Sequence, residues 1–429
     1  MTIPESLDAP GLSRLLARPG VSAVLAALDA PSEETRLVGG CVRDALLGRD
    51  VSDIDLATTL LPADTMARAE RAGLKAVPTG IDHGTVTVIA DGDPFEVTTL
   101  REDIETDGRH AVVRFGRDFV RDAKRRDFTM NALSLGPDGS LYDLTGGLAD
   151  LAEGRVRFIG DPDTRIREDA LRVLRFFRFH ARFGADAPDA AGLDACIRAR
   201  DALDGLSRER VRAEFLKTLM TPGAVAAIET LSRTGLLTRL IAGICDLGRL
   251  DRAARAGLCV NGRLAAGFVL STVDAERLRL RLRLSNAEFA VLVAYARALA
   301  ALLTPEAIDA AALRALAAEH GAPTLGRALT ALDGERRPAL SPEARALLPA
   351  LLDPSAARPV MPLTGADLVA LGLMPGPRIG QALAAARRLW LARGCPTDAA
   401  AREDLIATAL GADAARQPEP GRKKPAGPG

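Results

Sequence analysis

The chain reads as α+β, a small mixed sheet-and-helix domain followed by a long all-helical part, and three observations lead there. Its 429 residues exceed what one hydrophobic core organises, so two to four domains of roughly 150 residues are expected. β-rich runs and turn clusters are confined to residues 35 to 145. From about residue 160 to 412 the sequence is rich in Ala, Leu and Arg and reads as helices throughout.

In chain order, Thr35 to Val38 is a short apolar strand. Val42 to Leu47 is a helical turn ending at Gly48, and Asp53 to Thr58 is a second strand. Pro62 opens a helix, since a proline is tolerated in the first turn. Thr85 to Ala90 and Phe95 to Leu100 form a hairpin across Asp91-Gly92-Asp93-Pro94. Asn131 to Leu135 and Ser140 to Asp143 form another across Gly136-Pro137-Asp138-Gly139. Arg165 to Phe183 places Ile166, Leu171, Leu174, Phe177 and Phe179 among arginines, which predicts one amphipathic helix. Glu276 to Leu284 alternates with period two, but its helical surroundings favour a helix end. Ser285 and Glu288 predict a capping box opening a core helix over Phe289 to Leu303, the most apolar stretch, which Arg297 interrupts. Gln417 to Gly429 lacks apolar side chains and predicts disorder, with the tail taken from residue 413.

Lys plus Arg and Asp plus Glu are each 56, so the formal net charge is zero, which argues against a simple basic nucleic-acid coat protein. The cancellation is between halves. Residues 1–150 hold 16 basic and 25 acidic side chains, and residues 151–429 hold 40 and 31. An acidic first part suits a site that gathers cations; an arginine-rich second part suits a partner with a phosphate backbone. Five scattered cysteines without a C-x-x-C pair exclude structural zinc and predict reduced thiols in a cytoplasm. No membrane segment is expected. Glu102 to Arg109 predicts a mobile acidic loop between His83 and His110, and a metal-binding histidine pair is disfavoured.

The chemistry concentrates in Leu37-Val-Gly-Gly-Cys-Val-Arg-Asp-Ala-Leu-Leu-Gly48 followed by Ser52-Asp-Ile-Asp-Leu56. A strand running into Gly39-Gly40 and then a helix lets backbone amides approach a phosphate, with Arg43 adding positive potential. Asp53 and Asp55, two apart on a strand, share a face and repel unless a cation sits between them. Hard oxygen ligands beside a triphosphate select Mg²⁺. Alone, a Gly-Gly is a turn and a D-x-D a solvated strand edge; within 20 residues of each other they make a nucleotide site. The glycines fit neither the Rossmann nor the P-loop pattern.

This block resembles the nucleotidyltransferase head of class II CCA-adding tRNA nucleotidyltransferases and bacterial poly(A) polymerases. Lys124-Arg-Arg-Asp-Phe-Thr-Met-Asn-Ala-Leu133 is similar to that family's second motif, and Arg167-Glu-Asp-Ala-Leu-Arg-Val-Leu-Arg-Phe-Phe-Arg178 to its base-reading motif. The three stand in family order over residues 37 to 178, and the likeness fades beyond about residue 215. It implies a polymerase-β-like head with the metal site over residues 1–150. It further implies a helical neck over 151–235, and a helical, RNA-binding body and tail over 236–412. It assigns Asp53 and Asp55 to two Mg²⁺ ions, Gly39, Gly40, Arg43 and Arg126 to the nucleotide, and Glu96 to a third carboxylate whose alternative is a surface strand residue. Asp127 and Asn131 also have structural readings. No histidine is followed by Asp, so an HD phosphohydrolase domain is not expected.

If Asp169 and Arg172 lie three apart on one helix, they share a face and set an acceptor beside donors. Cytosine and adenine each offer an amino donor next to a ring-nitrogen acceptor, whereas uracil and guanine present the reverse, a mismatch of about 1–3 kcal/mol per lost pairing. Arg175 and Arg178 follow at the same spacing and orient the base or its phosphates. The alternative is a salt-bridged exposed helix face. Pro375 to Gly380 precedes a helix that could receive an RNA phosphate, or is an ordinary turn. The expected activity is addition of C, C and A to a tRNA 3′ end from CTP and ATP. The alternatives are poly(A) synthesis, CC-only or A-only addition, and a non-catalytic RNA-binding relative.

Overall fold

The computed structural model describes residues 4–106, 111–353, 355 and 359–414, and divides the chain into two compact units, 1–242 and 243–429. The first unit opens with α1 (Ala9–Leu16) and α2 (Pro19–Leu28). Then come β1 (Thr35–Val38), α3 (Gly40–Leu46), β2 (Ile54–Thr58) and α4 (Pro62–Arg71). Next are β3 (Lys75–Gly80), β4 (Thr85–Ala90) and β5 (Asp93–Thr99). β6 (Arg101–Thr106) and β7 (Ala111–Phe115) form a separate antiparallel pair. After α5 (Phe119–Arg125), the short β8 (Ser134–Leu135) and β9 (Leu141–Tyr142) complete a seven-stranded sheet in the order β3-β4-β5-β2-β1-β8-β9. Within this sheet only β2 and β5 pair in parallel. All four β1 residues are buried, as a central strand covered on both faces requires, while β4 alternates buried and half-buried positions.

Helices follow: α6 (Gly147–Ala152), α7 (Pro162–Glu168), α8 (Leu171–Phe183), α9 (Ala190–Arg198), α10 (Arg208–Leu219), α11 (Ala224–Arg233) and α12 (Leu236–Ile241). An aromatic cluster ties α8 to the sheet domain: Phe128 packs on Phe158 at 5.0 Å between ring centroids and on Phe179 at 5.1 Å. Phe158 stacks on Phe176 at 5.4 Å. The second unit is helical, beginning with α13 (Leu247–Arg255), α14 (Val260–Phe268), α15 (Thr272–Leu282) and α16 (Asn286–Leu303). It ends with α17 (Ala310–His320), α18 (Ala322–Ala331), α19 (Pro342–Leu352), α20 (Gly365–Ala370), α21 (Pro377–Ala392) and α22 (Ala399–Ala414).

Both legs of the Ser285–Glu288 capping box form, and α16 buries Leu292, Tyr295, Leu299 and Leu302, as a core helix does. It is the one single helix among the described residues with the length and apolarity of a membrane span. The alternating Arg-Leu run lies in helix α15 and its cap.

Several expectations are corrected. The acidic loop is a strand over Arg101–Thr106, and residues 107–110, with His110, lie outside the described residues. Asn131 ends a 3₁₀ turn, Thr129–Asn131, leaving only Ser134–Leu135 as strand. The single helix expected over Arg165 to Phe183 is two, broken at Asp169 and Ala170. Of the tail expected from residue 413, residues 413 and 414 close α22, and 415–429 lie outside the described residues. Helices α1 and α2 and strand β3 carry no prior expectation.

Candidate active site

The site is built where β1 stops. Gly39 has φ +75° and ψ −124°, a conformation side-chain-bearing residues rarely adopt, and a Cβ there would stand 3.0 Å from Arg126 Nη1. Glycine is thus favoured by the turn, while a side chain there would also push the Arg126 guanidinium aside by a few tenths of an ångström. The turn aims the first residues of α3 at a cleft of about 780 Å³, nucleotide-sized, within the first unit. Gly39, Gly40, Arg43, Asp53, Asp55, Arg126, Asp169, Arg172, Arg175 and Arg178 all line it. Of the expected site residues only Glu96 is not among its lining.

Strand register explains the floor. In β2 the buried Ile54 and Leu56 alternate with exposed Asp55, which pairs with Val38 on one side and with Glu96 of β5 on the other. Lost hydration first, then the Glu96 carboxylate, push the Asp55 carboxyl above its ordinary value; Arg126 opposes and Asp53 adds. Like charges are gathered there without a protein cation bonded to them, which is how residues that hold a divalent cation look without it. The donor set is hard carboxylate oxygen. Among the described residues no three His, Cys, Asp or Glu side chains form a complete metal cage, so a cation at Asp53 and Asp55 would need substrate oxygens to complete its shell.

The cations around the floor are tied back. Buried Arg43 donates to Asn131 Oδ1 at 2.5 Å and Asp44 Oδ1 at 2.9 Å, and its guanidinium lies 4.3 Å from the Phe183 ring centroid. Burial lowers its pKa despite Asp44. Arg126 grips Asp122 Oδ2 through Nε at 3.2 Å and Nη2 at 3.0 Å. Asp127 accepts from Arg175 Nε at 2.8 Å, Asn131 Nδ2 at 3.0 Å and the Phe128 amide at 2.8 Å. Burial works to raise the Asp127 carboxyl, but Arg175 and then Asn131 outweigh it and hold it below the ordinary aspartate value.

On the facing wall, α7 ends at Glu168 and Asp169 is extended, with φ −155° and ψ 106°. The shared helical face expected for Asp169 and Arg172 therefore does not exist; a helix break brings both into the cleft. Asp169 Oδ1 accepts from the Leu171 amide at 3.1 Å, and Oδ2 from Arg210 Nη2 at 2.7 Å. Arg172 donates instead to Glu168 Oε2 at 2.5 Å and the Arg165 carbonyl at 2.8 Å. Arg172, Arg175 and Arg178 do share one stripe of α8. Glu214 of α10 accepts from Arg178 Nε at 2.6 Å and stands 4.0 Å from Arg175 Nη1. Sequence reasoning missed Arg210, Glu214 and Lys217. Their spacing of four and three, after the cap Ser207, was the available sign of one charged helix face.

Residues 35–157 match the family described as the poly A polymerase head domain, and residues 191–246 match a probable RNA and SrmB-binding site of polymerase A. A mitochondrial CCA tRNA nucleotidyltransferase 1 of Danio rerio is 38% identical over 262 residues, 59% of this chain and 61% of that protein. A CCA-adding enzyme of Leuconostoc citreum is 42% identical over 200 residues, 46% of this chain and 48% of that one. The chain thus matches at most about three-fifths of these curated relatives. The crystal structure of the Bacillus stearothermophilus CCA-adding enzyme in complex with CTP superposes with a TM-score of 0.70 at 27% identity, covering 95% of this chain and 98% of that one. A Thermotoga maritima CCA-adding enzyme complexed with tRNA shares the fold, with a TM-score of 0.67 at 20% identity over 96% of this chain and 99% of that one.

Proposed function

We propose that the chain is a member of the family of CCA-adding tRNA nucleotidyltransferases and poly(A) polymerases, and that it adds C, C and A to the 3′ end of tRNA from CTP and ATP, releasing pyrophosphate. The observation that carries this reading is one nucleotide-sized cleft with a pair of unpartnered carboxylates on its floor and an Asp/Arg set on its wall. The first 150 residues supply the floor and Asp127 of the wall, the neck over 151–235 supplies the rest of the wall, and the helices over 236–412 supply further RNA contact.

In this reaction the RNA 3′-hydroxyl attacks the α-phosphate in line with the departing pyrophosphate. Asp53 and Asp55 would hold Mg²⁺ against the triphosphate, and Glu96 adds a third negative charge beside Asp55. Mg²⁺, when bound, supplies a lowered pKa at the hydroxyl and neutralises charge on the leaving group. The Gly39–Gly40 turn lets backbone amides come close to the phosphates, and Arg126 borders it. Arg43, buried and tied back through Nε to Asp44 and through Nη1 to Asn131, props that turn and brings positive potential to the phosphates. Asp169 accepts the amino group of cytosine or adenine while Arg172 donates to the ring nitrogen. Arg175 and Arg178, pinned by Asp127 and Glu214, hold the wall in shape. Five unpaired cysteines suit a reducing compartment, and we place the enzyme in the cytoplasm.

The test incubates the protein with Mg²⁺, labelled CTP or ATP, and tRNA transcripts ending before CCA, after C and after CC. Stepwise extension that stops at CCA is expected. An open-ended A ladder would instead identify a poly(A) polymerase, and no extension of any transcript would leave an RNA-binding relative.

A further inference from the structure

We propose that Arg210 sets the nucleotide selectivity of the cleft by holding the Asp169 carboxylate in one orientation; the inference rests on the base-reading role given to Asp169 above. Asp169 sits in a two-residue break between α7 and α8, so no helical neighbours fix its side chain. Two bonds do so instead, from the Leu171 amide to Oδ1 and from Arg210 Nη2 to Oδ2. Arg172, the other half of the base-reading pair, is held by Glu168 and two backbone carbonyls, those of Arg165 and Arg125.

Arg210 is well placed to act as that anchor. It is the third residue of α10, where its own amide donates to the capping Ser207 Oγ, so its backbone belongs to a closed first turn. One turn further, buried Glu214 takes Arg178. The α10 face thus presents a cation and then an anion, and each meets the opposite charge on the base-reading wall.

With Oδ1 and Oδ2 each already accepting one hydrogen bond, the remaining lone pairs point in a fixed direction. An amino group of cytosine or adenine arriving there finds an acceptor. A carbonyl of uracil or guanine meets a carboxylate and is left unpaired. Rejection of this kind lasts only while the carboxylate cannot swing aside, because a mobile one would let water intervene and forgive the mismatch. Arg210 therefore converts a preference for cytosine and adenine into exclusion of uracil and guanine. It is a positioning residue, acting through Asp169.

The test measures kcat/KM for CTP and for UTP with the full chain, Mg²⁺ and a tRNA transcript ending before CCA. It compares wild type with R210A, R210M and R210K. R210A and R210M are expected to lower the CTP-to-UTP ratio at least tenfold, chiefly through faster UTP incorporation, and R210K to recover part of it by restoring a cationic donor. R210M keeps the aliphatic packing should R210A fail to fold. A fall of both substrates in proportion, or an unchanged ratio, would overturn the inference while leaving the proposed function intact. A wild type that adds neither nucleotide would overturn both.

Discussion

At the floor of the cleft the carboxylates of Asp53 and Asp55 receive no hydrogen bond or ion pair among the described residues, whereas along its wall Asp127, Asp169 and Glu214 each accept from a guanidinium. The two regions are within one fold unit and use the same residue types, yet one is electrostatically open and the other closed. Charges that must receive a cation from solvent are left uncompensated, at a cost to the apo fold. Charges that must present a fixed pattern to a base are compensated inside the protein, so that nothing rearranges when the base arrives.

Substitutions should separate the two regions by sign. The largest effect belongs to the floor: D55A should lower nucleotide incorporation by roughly 10³-fold or more, since losing a cation ligand removes several kcal/mol of charge stabilisation. The same substitution should not lower the apo melting temperature, and a cooperative loss of fold would break the contrast. Next comes the wall. D127A strips Arg175 of the carboxylate oxygen that its Nε and Nη2 both hold, and Asn131 of an acceptor, and urea titration should read a loss of about 2–3 kcal/mol, below the usual figure for a fully buried pair because the Arg175 side chain is 32% exposed. Unchanged stability would mean that the wall pairs are decoration.

Divalent cation tests the floor more gently. Mg²⁺ at ten times its dissociation constant should stabilise wild type by about 1.4 kcal/mol and leave a D53N/D55N double variant unmoved in a thermal melt. Equal shifts in both proteins would move the cation site elsewhere.

The smallest effect is in pH. Asp55 is raised, so its ionised form weakens the apo fold. D55N should therefore melt higher than wild type above that raised pKa, and the difference should vanish below about pH 3.9, where the wild-type carboxyl is protonated folded or unfolded. Asp127 is lowered, so its stabilisation is complete above about pH 3.9 and is lost as pH falls through its folded value. Opposite pH trends for D55N and D127N, followed by circular dichroism, would sharpen the contrast; parallel trends would remove it.

The floor was legible in the sequence because its parts are local. Gly39 and Gly40 follow directly on a strand, and Asp53 and Asp55 stand two apart, Asp53 just before β2 and Asp55 within it, so both reach the cleft although the strand expected from Asp53 begins at Ile54. The wall was only half legible. Helical periodicity carried Leu171 to Phe179 correctly but ran straight through Asp169, because no proline or glycine marks the break after Glu168. Arg210 and Glu214 matter through partners 41 and 36 residues away, a separation at which charge spacing along one helix reveals nothing about which carboxylate or guanidinium it meets. The β6 strand was read as an acidic loop for a related reason, since its pairing with β7 rests on a partner strand rather than on its own apolar pattern.

The order of motifs, the change from sheet to helix near residue 150, and the clustering of carboxylates and glycines in one short stretch are properties of the chain itself, set by periods of two and of 3.6 that need no distant contact. Which cation faces which anion across the cleft was decided only by the fold. A guanidinium on one helix and a carboxylate on another meet when the phenylalanine core brings α8 against the sheet domain and α10 packs on α8, and no local propensity encodes that distance.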